Sequence, residues 1–139
     1  RRVLFRSSMS DRVGVMNRGR LEQVGTPREV YETPTTRFVA EFVGAANLLE
    51  GDAARRYADG ARCALLRPER IRLGAADGAR AAGSVTDSQY FGAFARLRVQ
   101  VEGASLAVDL GAGAGNPPSI GARVHLHWDA SAIHRLEGG

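Results

Sequence analysis

Between Met9 and Gly44 the sequence MSDRVGVMNRGRLEQVGTPREVYETPTTRFVAEFVG carries turn and capping signals at such close intervals that it leaves few local structures open. Asp11 to Met16 reads as a short apolar strand. Asn17-Arg18-Gly19 is a turn of residues that tolerate positive φ, and Arg20 to Val24 returns as the partner strand. Thr26 then predicts a helix start. Its hydroxyl can accept from the Glu29 amide while the Glu29 carboxylate reaches back, and Pro27 stands at the first helical position, where no amide hydrogen is needed. Thr33-Pro34 repeats the start signal seven residues later. Phe38, Val39, Phe42 and Val43 form one apolar stripe before Gly44 ends the second helix. The stretch reads as the end of a larger domain.

After Gly44 the helical spacing gives way to short β runs, with Ala45-Ala46-Asn47 as the expected hinge. Candidate strands are Ala61 to Leu66, Ile71 to Leu73, Ala82 to Phe91, Ala93 to Val101, Ser105 to Leu110 and Arg123 to Trp128, separated by Gly, Pro, Asp and Asn. Many short strands predict a small barrel. The period of two is clearest where Phe94, Arg96, Arg98 and Gln100 alternate with Ala95, Leu97, Val99 and Val101, one face wet and the other buried. Tyr90-Phe91-Gly92 marks a bend, and GAGAGNPPSIG from Gly111 to Gly121 a loop.

At 139 residues, 44% of them hydrophobic, the chain can bury one ordinary core. No apolar run approaches the roughly 18 residues of a membrane span, so direct membrane insertion is not expected. Cys63 is alone, which excludes an internal disulfide and reads as a buried strand residue. All 19 basic residues are Arg, and they are scattered among 15 acids for a net charge of +4. That balance gives no concentrated basic patch for nucleic acid.

The absence of lysine from the sequence excludes a GxxxxGK[ST] phosphate loop. GAGAG at 111 to 115 is no dinucleotide fingerprint either, because Asn116-Pro117-Pro118 follows it rather than a helix. His125 and His127 share a strand face, but with His134 they lack a cysteine or carboxylate to complete a metal site, so a solvated or partly packed face is expected. No catalytic, cofactor-binding or metal-binding residue is assigned. Arg67 and Glu69 flank Pro68 in a rigid extended corner, where the guanidinium fork can pair with a carboxylate across the barrel. Asp11 and Arg12 read as a strand-entry pair.

In Asp11-Arg12-Val13, Val15-Met16, Gly19-Arg20, Gln23, Gly25-Thr26-Pro27, Glu29-Val30-Tyr31, Pro34, Phe38-Val39-Ala40 and Phe42-Val43-Gly44, the first stretch resembles the segment closing the nucleotide-binding domain of ABC importer ATPases of the spermidine/putrescine, ferric-iron and sugar group. Leu66-Arg67-Pro68-Glu69, Gly83-Ser84-Val85, Tyr90-Phe91-Gly92 and Val124 to Asp129 resemble the TOBE domain, the transport-associated OB-like barrel that follows it. The resemblance implies a mainly β chain: residues 8–44 as the α/β tail of a nucleotide-binding domain, a hairpin plus two short helices, and 45–139 as the barrel. Residues 1–7, RRVLFRS, do not fit, since the family carries a switch histidine and an acidic helix there. A foreign or fragment-boundary start is the expectation for them.

Functionally, the resemblance implies the C-terminal part of the ATP-binding subunit of an ABC importer, expected to be of the polyamine type, whose full-length form couples ATP hydrolysis, with Mg, to solute uptake. This part would not itself be an enzyme. Its partners would be a second copy of the subunit and the membrane permease, with no nucleic acid, and its place would be cytoplasmic, peripheral at the inner face of the membrane. Arg67 and Glu69 are the candidate dimer or regulatory contacts. One rival is a small oxyanion-binding barrel of the molybdate type, since Ala45 to Gly51 is similar to the start of such barrels, although Ala replaces the Ser and Arg donors. The other is a nucleic-acid-binding OB module, for which only Tyr90, Phe91, Phe94 and Trp128 are available, and most of these read as core.

Overall fold

The computed structural model describes residues 3–4 and 12–136. The described residues are mainly β, with three sheets and three short α-helices. Strands β1 (Val3–Leu4), β2 (Val13–Asn17) and β3 (Arg20–Gly25) form an antiparallel sheet in that order. Val3 and Leu4 of the ill-fitting start pair with Val15 and Gly14, while the rest of residues 1–7 and Asp11 lie outside the described residues. The tight turn between β2 and β3 needs two successive left-handed residues to match the strand twist, and Arg18 (φ 54) and Gly19 (φ 79) supply them.

Helix α1 (Pro27–Glu32) begins with both halves of the expected capping box. The Glu29 amide donates to Thr26 Oγ1 at 3.1 Å, and the Thr26 amide donates to Glu29 Oε1 at 2.9 Å. Helix α2 (Arg37–Val43) is capped by Thr36 and not, as the sequence predicts, by Thr33. Thr33 instead closes α1, donating its amide and hydroxyl to the Glu29 carbonyl at 2.8 and 2.9 Å. The Gln23 side chain reaches across from β3 to the Thr33 carbonyl and the Thr35 amide, so tertiary bonds hold residues 33–35 extended and delay the second start. Val13, Val15, Val30 and Val39 are the buried centre of this unit.

The barrel begins at β4 (Asn47–Glu50), followed by α3 (Asp52–Tyr57), β5 (Cys63–Leu66), a 3-10 turn (Pro68–Arg70), β6 (Arg72–Gly74), β7 (Ala81–Tyr90), β8 (Phe94–Val101), β9 (Ala104–Gly111), β10 (Arg123–His127) and β11 (Ile133–Arg135). A five-stranded sheet runs β6-β10-β7-β8-β9, and a three-stranded sheet runs β11-β5-β4. The two meet through Asn47. Its side-chain amide donates to the Ala107 carbonyl at 2.8 Å and its oxygen accepts from the Ala107 amide at 2.7 Å, so one side chain substitutes for a strand ladder. The residue expected to be part of a hinge is thus 5% exposed and fixed.

The alternation in β8 appears as predicted, with Ala95, Leu97, Val99 and Val101 buried. β5 shows why an unbroken apolar run was visible there: Ala64 and Leu66 face the barrel core, while Cys63 and Leu65 face a second cluster with Ala40 and Leu136. α3 was not foreseen. Its signals are a charge order that suits the helix dipole, Asp52 first and Arg55 and Arg56 last, and the buried pair Ala54 and Tyr57 one turn apart. The aromatic reading also needs correcting, since Tyr90 is 81% and Phe91 49% exposed while Trp128 is buried. A bulge between Val85 and Asp87 ends the inward alternation of β7, and residues 86–90 are exposed although they stay paired with β8.

Candidate functional site

Where the helix pair meets the barrel, the sequence places a cation inside the protein. Leu66 ends β5, and Pro68 keeps the preceding residue extended (Arg67 φ −73, ψ 140), which sends the Arg67 side chain off the sheet toward α1 and α2. Arg67 is 5% exposed. One terminal nitrogen, Nη1, donates to the carbonyls of Ala40, Gly44 and Ala45 at 3.1, 3.2 and 2.8 Å, and Nη2 donates to the Tyr31 carbonyl at 2.8 Å. These are carbonyls at the C-terminal ends of both helices, which have no partners within the helix and carry the negative end of its dipole. The expected carboxylate partner is replaced by main-chain oxygens.

The aromatic ring of Tyr31 lies under the guanidinium, 4.1 Å from ring centroid to Cζ, and its hydroxyl donates to Glu69 Oε2 at 2.5 Å. Burial, then the hydrogen bond to Glu69 and the charge of that carboxylate, push the Tyr31 pKa up to about 12, with Arg67 opposing. Burial in turn lowers the Arg67 pKa, against the pull of Tyr31 and Glu69. Gly44 completes the packing: a Cβ there would stand 2.7 Å from Tyr31 Cε1, so the ring can lie against the chain only where no side chain exists. The structure therefore brings Arg67 and Glu69 together around Tyr31, Arg67 buried and Glu69 at the exposed rim.

Further contacts cross the same junction. His134 Nε2 donates to the Pro34 carbonyl at 2.8 Å, and Arg37 forms an ion pair with Glu50. A cavity of about 170 Å³ beside Arg67 is walled by Tyr31, Glu69, Arg70, Ser131 and His134. The remaining histidines are half-buried as expected, His127 donating to the Ala75 carbonyl at 2.7 Å. Among the described residues no group of three His, Cys, Asp or Glu could hold a metal ion. Cys63 is buried, and burial followed by the charge of Glu50 pushes its thiol pKa up. The Arg12 side of the strand-entry pair is exposed. Sequence reasoning missed Asn47 and the partners of Arg67. A polar residue opening the apolar run Asn47-Leu48-Leu49 was the available signal for the first, and only tertiary structure reveals the second.

Comparison with known proteins agrees with this architecture. The family model of the TOBE domain matches residues 64–136. A spermidine/putrescine import ATP-binding protein, PotA, of Thermobifida fusca is 35% identical over 94% of this chain and 42% of its own length. An uncharacterized ABC transporter ATP-binding protein, YdcT, of Escherichia coli is 44% identical over 69% of this chain and 28% of its own. The Fe(3+) ions import ATP-binding protein FbpC 2 of Rhodococcus jostii is 40% identical over 68% and 31%. The chain spans less than half the length of these curated relatives. A solved cytoplasmic molybdate-binding protein, ModG, is 20% identical over 59% of this chain and 67% of that one at a TM-score of 0.43, a likeness too slight to bear on ligand. The TOBE match over residues 64–136, together with relatives that align through the preceding helices, means that the chain belongs to the TOBE domain family and is a relative of ABC importer ATP-binding subunits.

Proposed function

We propose that this chain is the C-terminal part of the ATP-binding subunit of an ABC importer of the polyamine type, and that its barrel serves dimerisation and regulation of that subunit. The observation that carries the reading is the alignment to the Thermobifida fusca protein, which runs through both the hairpin–helix unit and the barrel over 94% of the chain. Unrelated OB-like barrels would share the second alone. Residues 8–44 are then the end of the nucleotide-binding domain and 45–139 the transport-associated barrel. ATP and Mg belong to the full-length subunit. The residues present here do not fit a nucleotide phosphate, because the sequence has no lysine for a phosphate loop and no GxxxxGK[ST].

In this reading the subunit sits at the cytoplasmic face of the membrane through its permease. No helix among the described residues is long and apolar enough to cross a membrane. The dimer-facing role falls to Glu69 at the rim, with Arg67 acting from behind it. Three measurements test the proposal. Reconstituted importer should take up labelled putrescine in preference to ferric iron, and the reverse preference would remove the polyamine assignment. Sedimentation of the full-length subunit with and without residues 45–139 should show a weaker dimer after truncation, and equal dimer fractions would remove the assembly role. Calorimetric titration of this chain with ATP and Mg should show no saturable binding tighter than about millimolar.

A further inference from the structure

We propose that Arg67, Tyr31 and Glu69 form a latch that couples the helix pair to the barrel as one mechanical body, with a docked and an undocked state. This rests on the junction itself and not on the transport reading. Among the described residues the hairpin–helix unit buries four valines of its own, with Phe38 and Val43 partly buried against them, a small centre on which to hold α1 and α2. Docking against the barrel adds the cluster of Ala40, Cys63, Leu65 and Leu136, beside which the Arg67 guanidinium is enclosed.

That guanidinium has no carboxylate partner among the described ion pairs, so its charge is offset chiefly by carbonyl dipoles and the face of the Tyr31 ring, with Glu69 acting from the rim. Such an arrangement tolerates little drift. A buried cation is held only if its hydrogen bonds are made together, and moving either helix by more than an ångström or so would expose the fork to water and release all of them. The Tyr31 ring fixes the plane of the fork, Glu69 fixes the Tyr31 hydroxyl, and the missing Cβ of Gly44 leaves the ring its place. Three elements distant in sequence are therefore satisfied or released as a set: the end of α1, the end of α2 and the β5 corner. Asn47 is the other buried polar side chain among the described residues, but it joins β4 to β9 within the barrel.

Hydrogen exchange of the whole 139-residue chain, read by segment, tests the latch. Arg67→Lys keeps a charge and an aliphatic stem, yet one ammonium cannot span the Tyr31 carbonyl and the 44–45 carbonyls or stack as a plane. Amides of residues 27–46 should exchange on the order of tenfold faster while those of β7 to β9 keep their protection. Tyr31→Phe should give the same pattern more weakly, and Glu69→Gln, whose amide oxygen still accepts from the hydroxyl, should stay near wild type. Unchanged exchange in 27–46, or equal acceleration in the barrel, would overturn the latch. If Arg67→Lys does not fold, Tyr31→Phe decides by the same two outcomes.

Discussion

The unit of residues 13–44 buries four valines at its own centre, whereas the barrel encloses nineteen residues from Leu49 to Ala132 in one cluster. The first is accordingly held by side chains bonded to backbone: Gln23 to residues 33–35, Thr26 and Thr36 at the helix starts, and Arg67 at the helix ends. The second is held by strand alternation and apolar packing. A small unit with little to bury depends on specific polar bonds and on its neighbour, while a barrel of this size stands on its own core.

The largest way to break that contrast is to attack the barrel at Gly83. A Cβ there would lie 2.0 Å from the Gln100 carbonyl oxygen and 2.8 Å from its carbon, both main chain, so β7 and β8 would have to part. Gly83→Ala should cost about 3 kcal/mol or more. Because the helix unit leans on the barrel, both should unfold in one transition at lower urea concentration. A helix unit that stays protected while the barrel melts would show that it needs no neighbour.

Asn47→Ala is next. It leaves the amide and carbonyl of Ala107 buried without their partner, a loss of about 2 kcal/mol, and it should loosen β9 against β4 before any other pair. An unchanged urea midpoint would mean that water replaces the side chain and that Asn47 does not close the barrel.

Thr26→Ala removes an exposed cap and should cost about 1 kcal/mol, felt in α1 and not in the barrel. Equal loosening of α1 and β8 by hydrogen exchange would contradict the division of labour. The same contrast governs what could be read from the sequence. Hairpin, capping box and strand alternation are local patterns, and Thr26, Gly19 and the Leu97-Val99-Val101 face were legible for that reason. The second cap moved from Thr33 to Thr36 because Gln23, ten residues away, bonds the Thr33 carbonyl, and no local pattern encodes that. Arg67 and Glu69 were singled out as a rigid corner, but their meeting point, Tyr31, is separated from Glu69 by 38 positions. Tyr90 and Phe91 were misread because the exposure of this end of β7 follows the bulge between Val85 and Asp87, which composition does not show.

The smallest expected effect lies at alkaline pH and sharpens the junction itself. The Tyr31 pKa stands at about 12 in the folded chain against an ordinary value of 10.0, through burial first and then the bond and charge of Glu69. The folded state therefore holds its phenol proton more firmly than the unfolded state does. Stability from this group is complete below pH 10 and falls as pH rises toward 12, since in that window the unfolded chain has already released the proton. Tyr57 and Cys63 are also pushed up by burial and shape the wild-type curve, so the informative quantity is the difference between two proteins. Urea midpoints at pH 9 and pH 11 should fall more steeply for wild type than for Tyr31→Phe, which keeps the ring under Arg67 but has no proton to lose. Parallel curves would mean that the hydroxyl is not held against Glu69, and the rim of the junction would then be solvated instead of closed.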